Sequence, residues 1–85
     1  MEEEEVPYSM VRIYWIDSMT TGGWRRPDDE DITTAKCESI GFLIESTDTF
    51  YVLAQSYSCG NGMIGDTITI PLGCVTGFEY LEVER

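Results

Sequence analysis

The chain has 85 residues, of which 42% are hydrophobic and 12% aromatic, and its formal net charge is −11. This length allows one domain with a small core, and no apolar run approaches the roughly 18 residues that a membrane-spanning helix requires. The acidity argues against duplex nucleic acid as a partner, because binding to a phosphate backbone requires a basic face.

The cysteine and histidine content argues against disulfide and metal chemistry. Three cysteines, Cys37, Cys59 and Cys74, are odd in number and lack C-x-x-C spacing, which fits free thiols in a reducing cytoplasm. Histidine, the commonest general base and metal ligand, is absent from the sequence. We therefore expect a protein that binds without cofactor or metal, is not an enzyme, and is neither secreted nor inserted in a membrane.

The chain begins with an acidic segment, residues 1–7, that we expect to be flexible, and residues 8–85 are expected to form one β domain. Aromatic and β-branched residues from Tyr8 to Asp17 predict the first strand. Its alternation places apolar groups on both faces, so we expect both faces to be partly covered. One face carries Val11, Ile13 and Trp15, and the other carries Met10, Arg12, Tyr14 and Ile16.

A long connection, residues 18–31, follows the first strand. Two consecutive glycines, Gly22 and Gly23, allow the backbone to turn freely there. Pro27 is followed by four acidic residues, a pattern that suits the first turn of a helix. Residues 27–35 therefore either open a short helix or belong to the loop, and the acids are typical of solvated surface.

The remaining sequence predicts four more short strands separated by turns. Ile40, Phe42 and Ile44 alternate in the second strand, and residues 59–66 form a Gly-rich loop without the lysine of a phosphate-binding loop. The expected fold is mostly β, a small five-stranded, partly open barrel of SH3-like or Sm-like type or a curled antiparallel sheet. The four strands are predicted over Lys36 to Glu45, Phe50 to Ser58, Thr67 to Pro71 and Val75 to Val83.

The segment from Trp15 to Arg26 holds the best candidates for ligand binding. Trp15 and Trp24 could stack on a nucleobase, or they could simply belong to the core. Arg25 and Arg26, with Arg12 in reserve, could bind phosphate through their planar guanidinium groups, or they could be solvated.

Four polar residues complete the predicted ligand site. Asp17 either caps its own loop or anchors a ligand, with Ser18 beside it. Gln55 lies in an apolar strand, where it either closes a core network or reads the edge of a base. Ser39, next to Gly41 on the neighbouring strand, could join the same patch.

Five segments spread over most of residues 10–82 carry a family resemblance. They are Trp15-Ile16-Asp17-Ser18, Gly23-Trp24, Cys37-Glu38-Ser39-Ile40-Gly41-Phe42-Leu43, Val52-Leu53-Ala54-Gln55-Ser56 and Ile70-Pro71-Leu72-Gly73. Together they resemble a large group of small phage proteins. That group is similar to nucleotide sponges of the anti-CBASS type, which sequester the cyclic dinucleotides used as bacterial alarm signals. The resemblance implies immune evasion in the host bacterial cytoplasm, with a bound and uncleaved cyclic dinucleotide.

The small size of the domain also bears on its assembly and on the alternative function. An 85-residue domain has little depth for a private pocket. We therefore expect a homo-oligomer, a dimer or tetramer, with ligand sites between subunits. The alternative is an acidic, SH3-like phage accessory protein that binds a host protein as an adaptor or inhibitor.

Overall fold

The computed structural model of the protein describes residues 6–83, so most of the predicted flexible lead lies outside the described residues. Within this range five antiparallel strands form one sheet in the order β4-β3-β2-β1-β5. The sheet is open, since the edge strands β4 and β5 do not pair with each other in this part of the chain. The strands are β1 (Met10–Asp17), β2 (Ala35–Ser46), β3 (Phe50–Tyr57), β4 (Ile64–Pro71) and β5 (Val75–Tyr80), with a 3-10 turn at Leu72–Cys74.

The expectation of a small, mostly β, partly open fold is confirmed, with corrections at the ends of elements. The fourth strand begins at Ile64 instead of Thr67, and the fifth ends at Tyr80 instead of Val83. No helix forms over residues 27–35. That segment instead makes two successive turns, closed by hydrogen bonds from Asp29 N–H to the Arg26 carbonyl and from Ile32 N–H to the Asp29 carbonyl, both 3.1 Å long.

The core lies on one side of the sheet, which we call the inner face. The alternation predicted for β1 is confirmed, because Val11 and Ile13 are completely buried whereas Arg12 and Tyr14 on the opposite, outer face are half-buried. Leu53 of β3 and Ile70 of β4 complete the buried cluster. Around it pack the partly buried side chains of Trp15, Leu43, Tyr51, Val75 and Phe78.

Two aromatic rings span the inner face between strands that are not neighbours. Tyr51 of β3 and Phe78 of β5 have ring centroids 5.1 Å apart, although β2 and β1 lie between these strands in the sheet. Aromatic pairs at this separation add stability beyond the area that they bury. The contact therefore helps to hold the two ends of the inner face together over the core.

Strand β2 turns small residues toward the core. Its register against β1 pairs Ser39 with Ile13 and Gly41 with Val11, so these small residues share the inner face with the large core side chains. The alternating isoleucine expected in this strand, Ile40, lies on the other face and is 51% exposed. Ile44 is displaced by a register shift between Leu43 and Glu45. Bulky β1 residues leave room only for small neighbours, which a hydrophobic pattern does not reveal.

A single hydroxyl group organises the tight turn between β2 and β3. Thr47 Oγ1 accepts hydrogen bonds from the backbone N–H groups of Thr49 at 3.1 Å and Phe50 at 2.9 Å. The backbone N–H of Thr47 donates in turn to the carbonyl of Phe50 at 2.9 Å. A threonine side chain that bonds its own turn in this way fixes the pairing register of the two strands.

Candidate functional site

The structure distributes the nine predicted ligand residues over three places. The inner face carries Trp15, Ser39 and Gln55, and the outer face carries Arg12. The remaining five residues lie at the end of β1 or in the long loop after it. These are Asp17, Ser18, Trp24, Arg25 and Arg26.

Trp15 and Ser39 meet on the inner face of neighbouring strands. The indole Nε1–H of Trp15 donates a hydrogen bond of 3.0 Å to Ser39 Oγ. The ring of Trp15 also packs against the buried core cluster. The indole is therefore held by packing at one end and by a hydrogen bond at the other, which agrees with the core alternative for this tryptophan.

The two loop arginines are engaged by the acidic residues that follow them. Arg25 Nη1 lies 3.3 Å from Asp29 Oδ2 and 3.4 Å from Asp31 Oδ2. Arg26 Nε lies 3.7 Å from Asp28 Oδ1. Phosphate at either guanidinium would compete with carboxylates already in place, so these pairs favour a structured acidic loop over a preformed anion site.

The other loop candidates are exposed. The backbone N–H of Ser18 donates to the Asp17 carboxylate at 2.8 Å, so Asp17 binds its own loop. Trp24 follows Gly23, whose φ of 81° is in the left-handed region, and its side chain is fully exposed at 102% of its reference area. An indole so completely solvated contributes nothing to the core and is available to a partner.

Arg12 belongs to a polar network on the outer face. Its Nη1 donates to Tyr14 Oη at 3.3 Å, and Tyr14 O–H donates to Glu79 Oε1 at 3.2 Å. Its Nε lies 3.2 Å from Glu38 Oε1, and its Nη1 lies 3.1 Å from Glu79 Oε1. The hydrogen bond to Tyr14, followed by the charges of Glu79 and Glu38, raises the pKa of Arg12 above its ordinary value. This guanidinium is charged at any working pH and already has acidic partners.

A cavity of about 420 Å³, which we call the outer groove, opens next to this network. Strand alternation places Tyr14, Ile16, Lys36 and Glu38 together on the outer face. Lys36 has no carboxylate oxygen within ion-pair distance in residues 6–83, unlike Arg12, Arg25 and Arg26. Among the described residues, the outer groove is lined by Tyr14, Trp15, Ile16, Lys36, Cys37, Glu38 and Thr76.

Sequence reasoning missed Lys36 because its neighbours come from another strand. Lys36 is paired with Ile16 across the β1–β2 ladder. Tyr14 is paired with Glu38, which lies two residues after Lys36 in β2. Nothing local in the sequence around Lys36 indicates an aromatic neighbour. The pairing register, which depends on the whole sheet, was the signal required.

A second cavity of about 270 Å³, which we call the inner pocket, opens where β2 and β3 separate. The β2–β3 ladder ends at the pair Phe42–Ala54, and Ser39 and Gln55 lie beyond it. The structure thus brings together two residues that the sequence assigned to one patch. The pocket is lined by Ser39, Ile40, Leu53, Ala54, Gln55, Asp66 and Ile68.

Residues 6–83 contain neither a cluster of side chains that could hold a metal ion nor a helix that could span a membrane. No three side chains among its cysteines, aspartates and glutamates converge on a position that could hold a metal ion. None of the helical segments between residues 6 and 83 is long and apolar enough to cross a bilayer. All three cysteines are free thiols.

Comparison with known proteins gives no relatives on which to base a function. No protein family model, no curated protein and no solved structure matches this chain. The resemblance to phage nucleotide sponges therefore stays a prediction.

Proposed function

We propose that the protein binds and sequesters a small anionic aromatic ligand of the cyclic dinucleotide class, without cleaving it. Lys36 in the outer groove would contact a phosphate, and the ring of Tyr14 would lie against a base. The ligand class comes from the resemblance to phage sponges. The location rests on one observation, that Lys36, which has no acidic partner in residues 6–83, lies next to an aromatic ring in a cavity of about 420 Å³.

Electrostatics restrict where an anion could bind to this protein. A net charge of −11 repels anionic ligands over most of the surface. The guanidinium groups of Arg12, Arg25 and Arg26 are partly neutralised by their carboxylate partners. The ammonium group of Lys36 has no such partner in residues 6–83 and provides three hydrogen-bond donors.

The size and openness of the groove support an oligomeric site. About 420 Å³ lies within the range of ligand pockets, which is roughly 300–1,000 Å³. The groove is open to solvent and includes Thr76, which is on edge strand β5. A second subunit placed against this edge would enclose the rest of the ligand, in a dimer or tetramer acting in the host cytoplasm.

Isothermal titration against a panel of cyclic dinucleotides tests the proposal, with Lys36→Gln as the key variant. Losing a charge-assisted contact of about 1.4–3 kcal/mol should weaken binding roughly tenfold or more. Arg26→Gln is the matched control, because it removes one positive charge from the exposed loop. Binding by the wild type should also weaken as salt is added.

Three results would count against the proposal. The absence of heat and of thermal shift with every member of the panel would refute the ligand class. Equal affinities for Lys36→Gln and Arg26→Gln would refute the outer groove as the site. Chromatography of the ligand after incubation should recover it intact, and the recovery of a cleavage product would refute sequestration. Light scattering with and without ligand measures the subunit number.

The exposed Trp24 favours a second candidate function, binding to a host protein. Its indole is displayed on an acidic loop held by ion pairs, and exposed tryptophans are frequent anchors of protein interfaces. Trp24→Ala should then abolish the capture of one host protein at defined stoichiometry, whereas Lys36→Gln should leave the capture unchanged. If the Trp24→Ala variant captured the host protein as well as the wild type does, this candidate function would lose its support.

A further inference from the structure

We propose that the inner pocket is a separate binding site for a planar group that presents two adjacent N–H donors, as guanine and the guanidinium group of arginine do. This inference goes beyond the proposed function, because it concerns the other face of the sheet and does not involve Lys36. Its basis is a carboxylate, an amide and a hydroxyl group around an apolar wall.

The carboxylate and the amide come from two neighbouring strands at the same level of the sheet. The pairs Ala54–Thr67 and Ser56–Gly65 flank Gln55 and Asp66, and both side chains line the inner pocket. Within residues 6–83 neither side chain makes a hydrogen bond, so both retain their full capacity for a ligand.

The backbone at Asp66 is unusual for a strand residue. Its φ of 52° lies in the left-handed region, where residues other than glycine are uncommon. Conformations of this kind cluster at ligand-binding positions, because the surrounding structure must sustain the strain. Here the conformation occurs at Asp66, which supplies the only charged group among the described residues that line the pocket.

Ser39 contributes a hydroxyl group of fixed position. Its Oγ accepts the Trp15 indole N–H at 3.0 Å, which leaves one oxygen lone pair for a ligand N–H group and the hydroxyl proton for a ligand acceptor such as the guanine carbonyl. Ile68, which is 37% exposed, supplies apolar surface against which the flat face of a ring or guanidinium can lie.

The charge of the pocket determines the class of ligand. No lysine or arginine lines it, and Asp66 is negative, so a phosphate is disfavoured. A carboxylate binds two adjacent N–H donors in a bidentate manner. Both the guanidinium group and the Watson–Crick edge of guanine provide such a pair of donors. Ammonium groups are not planar and match this geometry less well.

Titrations of the ¹⁵N-labelled full chain, followed by NMR, test this site with four small probes. Guanosine and arginine methyl ester present paired N–H donors, whereas inosine lacks one donor and lysine methyl ester carries an ammonium group. We expect saturable shifts centred on Gln55, Asp66 and Ile68 with at least one paired-donor probe. Inosine should bind roughly tenfold more weakly than guanosine, and lysine ester roughly tenfold more weakly than arginine ester, as expected for the loss of one charge-assisted hydrogen bond.

The variant Asp66→Gly removes the carboxylate and suits the positive φ, so it should fold well and lose the saturable shifts. Asp48→Asn, which changes an exposed acid in the turn between β2 and β3, is the control and should bind as the wild type does. Saturation by guanosine alone identifies a nucleobase ligand, and saturation by arginine ester alone identifies a polypeptide side chain.

Three outcomes would overturn the inference. The first is no saturation with either paired-donor probe. The second is an affinity for inosine equal to that for guanosine, together with an affinity for lysine ester equal to that for arginine ester. The third is undiminished binding by Asp66→Gly. None of these results bears on Lys36, and Lys36→Gln should bind the probes normally. Failure here and failure of the proposed function are therefore distinguishable.

Discussion

The outer groove and the inner pocket share strand β2 but offer opposite chemistry. The outer groove contains Lys36, a cation without an acidic partner in residues 6–83, and its acid, Glu38, is paired with Arg12 at 3.2 Å. The inner pocket contains Asp66 and no cation. Because side chains alternate along a strand, positions 36 and 39 of one strand serve sites on two faces.

This difference limits what overall charge can predict about ligands. A net charge of −11 suggests a protein that repels every anion, yet half of the sixteen acidic residues are confined to two short runs. One of those runs, Asp28 to Asp31, partly neutralises the loop arginines. Local pairing therefore decides which cations remain available, and it leaves one in the outer groove.

Gly41→Ala should have the largest effect on stability, and among the two sites it should weaken binding only in the inner pocket. A Cβ atom at Gly41 would lie 2.7 Å from the backbone oxygen of Ala54, closer than real Cβ contacts allow. Relieving this overlap would push β2 away from β3 at the edge of the inner pocket. We expect the free energy of unfolding in urea to fall by about 1–3 kcal/mol.

Gly73→Ala is the matched control for this change, since its added Cβ would meet no atom within 4 Å. Binding of the paired-donor probes should weaken in Gly41→Ala, whereas binding of a cyclic dinucleotide in the outer groove should not change. If Gly41→Ala were as stable as Gly73→Ala, the close approach of β2 and β3 would be wrong. If it weakened both ligands equally, the two sites would not be independent.

The fold was largely predictable because its main signals are local. Alternating apolar residues identified β1, and turn residues separated the later strands. The start of β4 was missed because Gly65 and Asp66 are residue types depleted in strands, although Gly65 pairs with Ser56. Tertiary pairing overrides weak local preference at that position.

The candidate sites were only partly predictable. Ser39 and Gln55 were assigned to one patch from their polar character, and they do line one pocket. The pairing of Arg25 with Asp29, four residues further on, is visible in the sequence spacing, and it competes with phosphate binding at Arg25. Lys36 and Asp66 were missed because their neighbours are set by strand register, which no local window of sequence contains.

The smallest expected effect concerns the hydrogen bond between Trp15, which lines the outer groove, and Ser39, which lines the inner pocket. Ser39→Ala leaves the indole N–H of Trp15 without its 3.0 Å partner, and Trp15→Phe removes the donor. A double-mutant cycle in urea unfolding should give a coupling free energy of about 1 kcal/mol between these positions. Ser39→Ala should also weaken the binding of the paired-donor probes in the inner pocket. A coupling near zero would mean that packing alone positions the indole, and the inner pocket would then lose the fixed hydroxyl group that distinguishes it from a shallow depression.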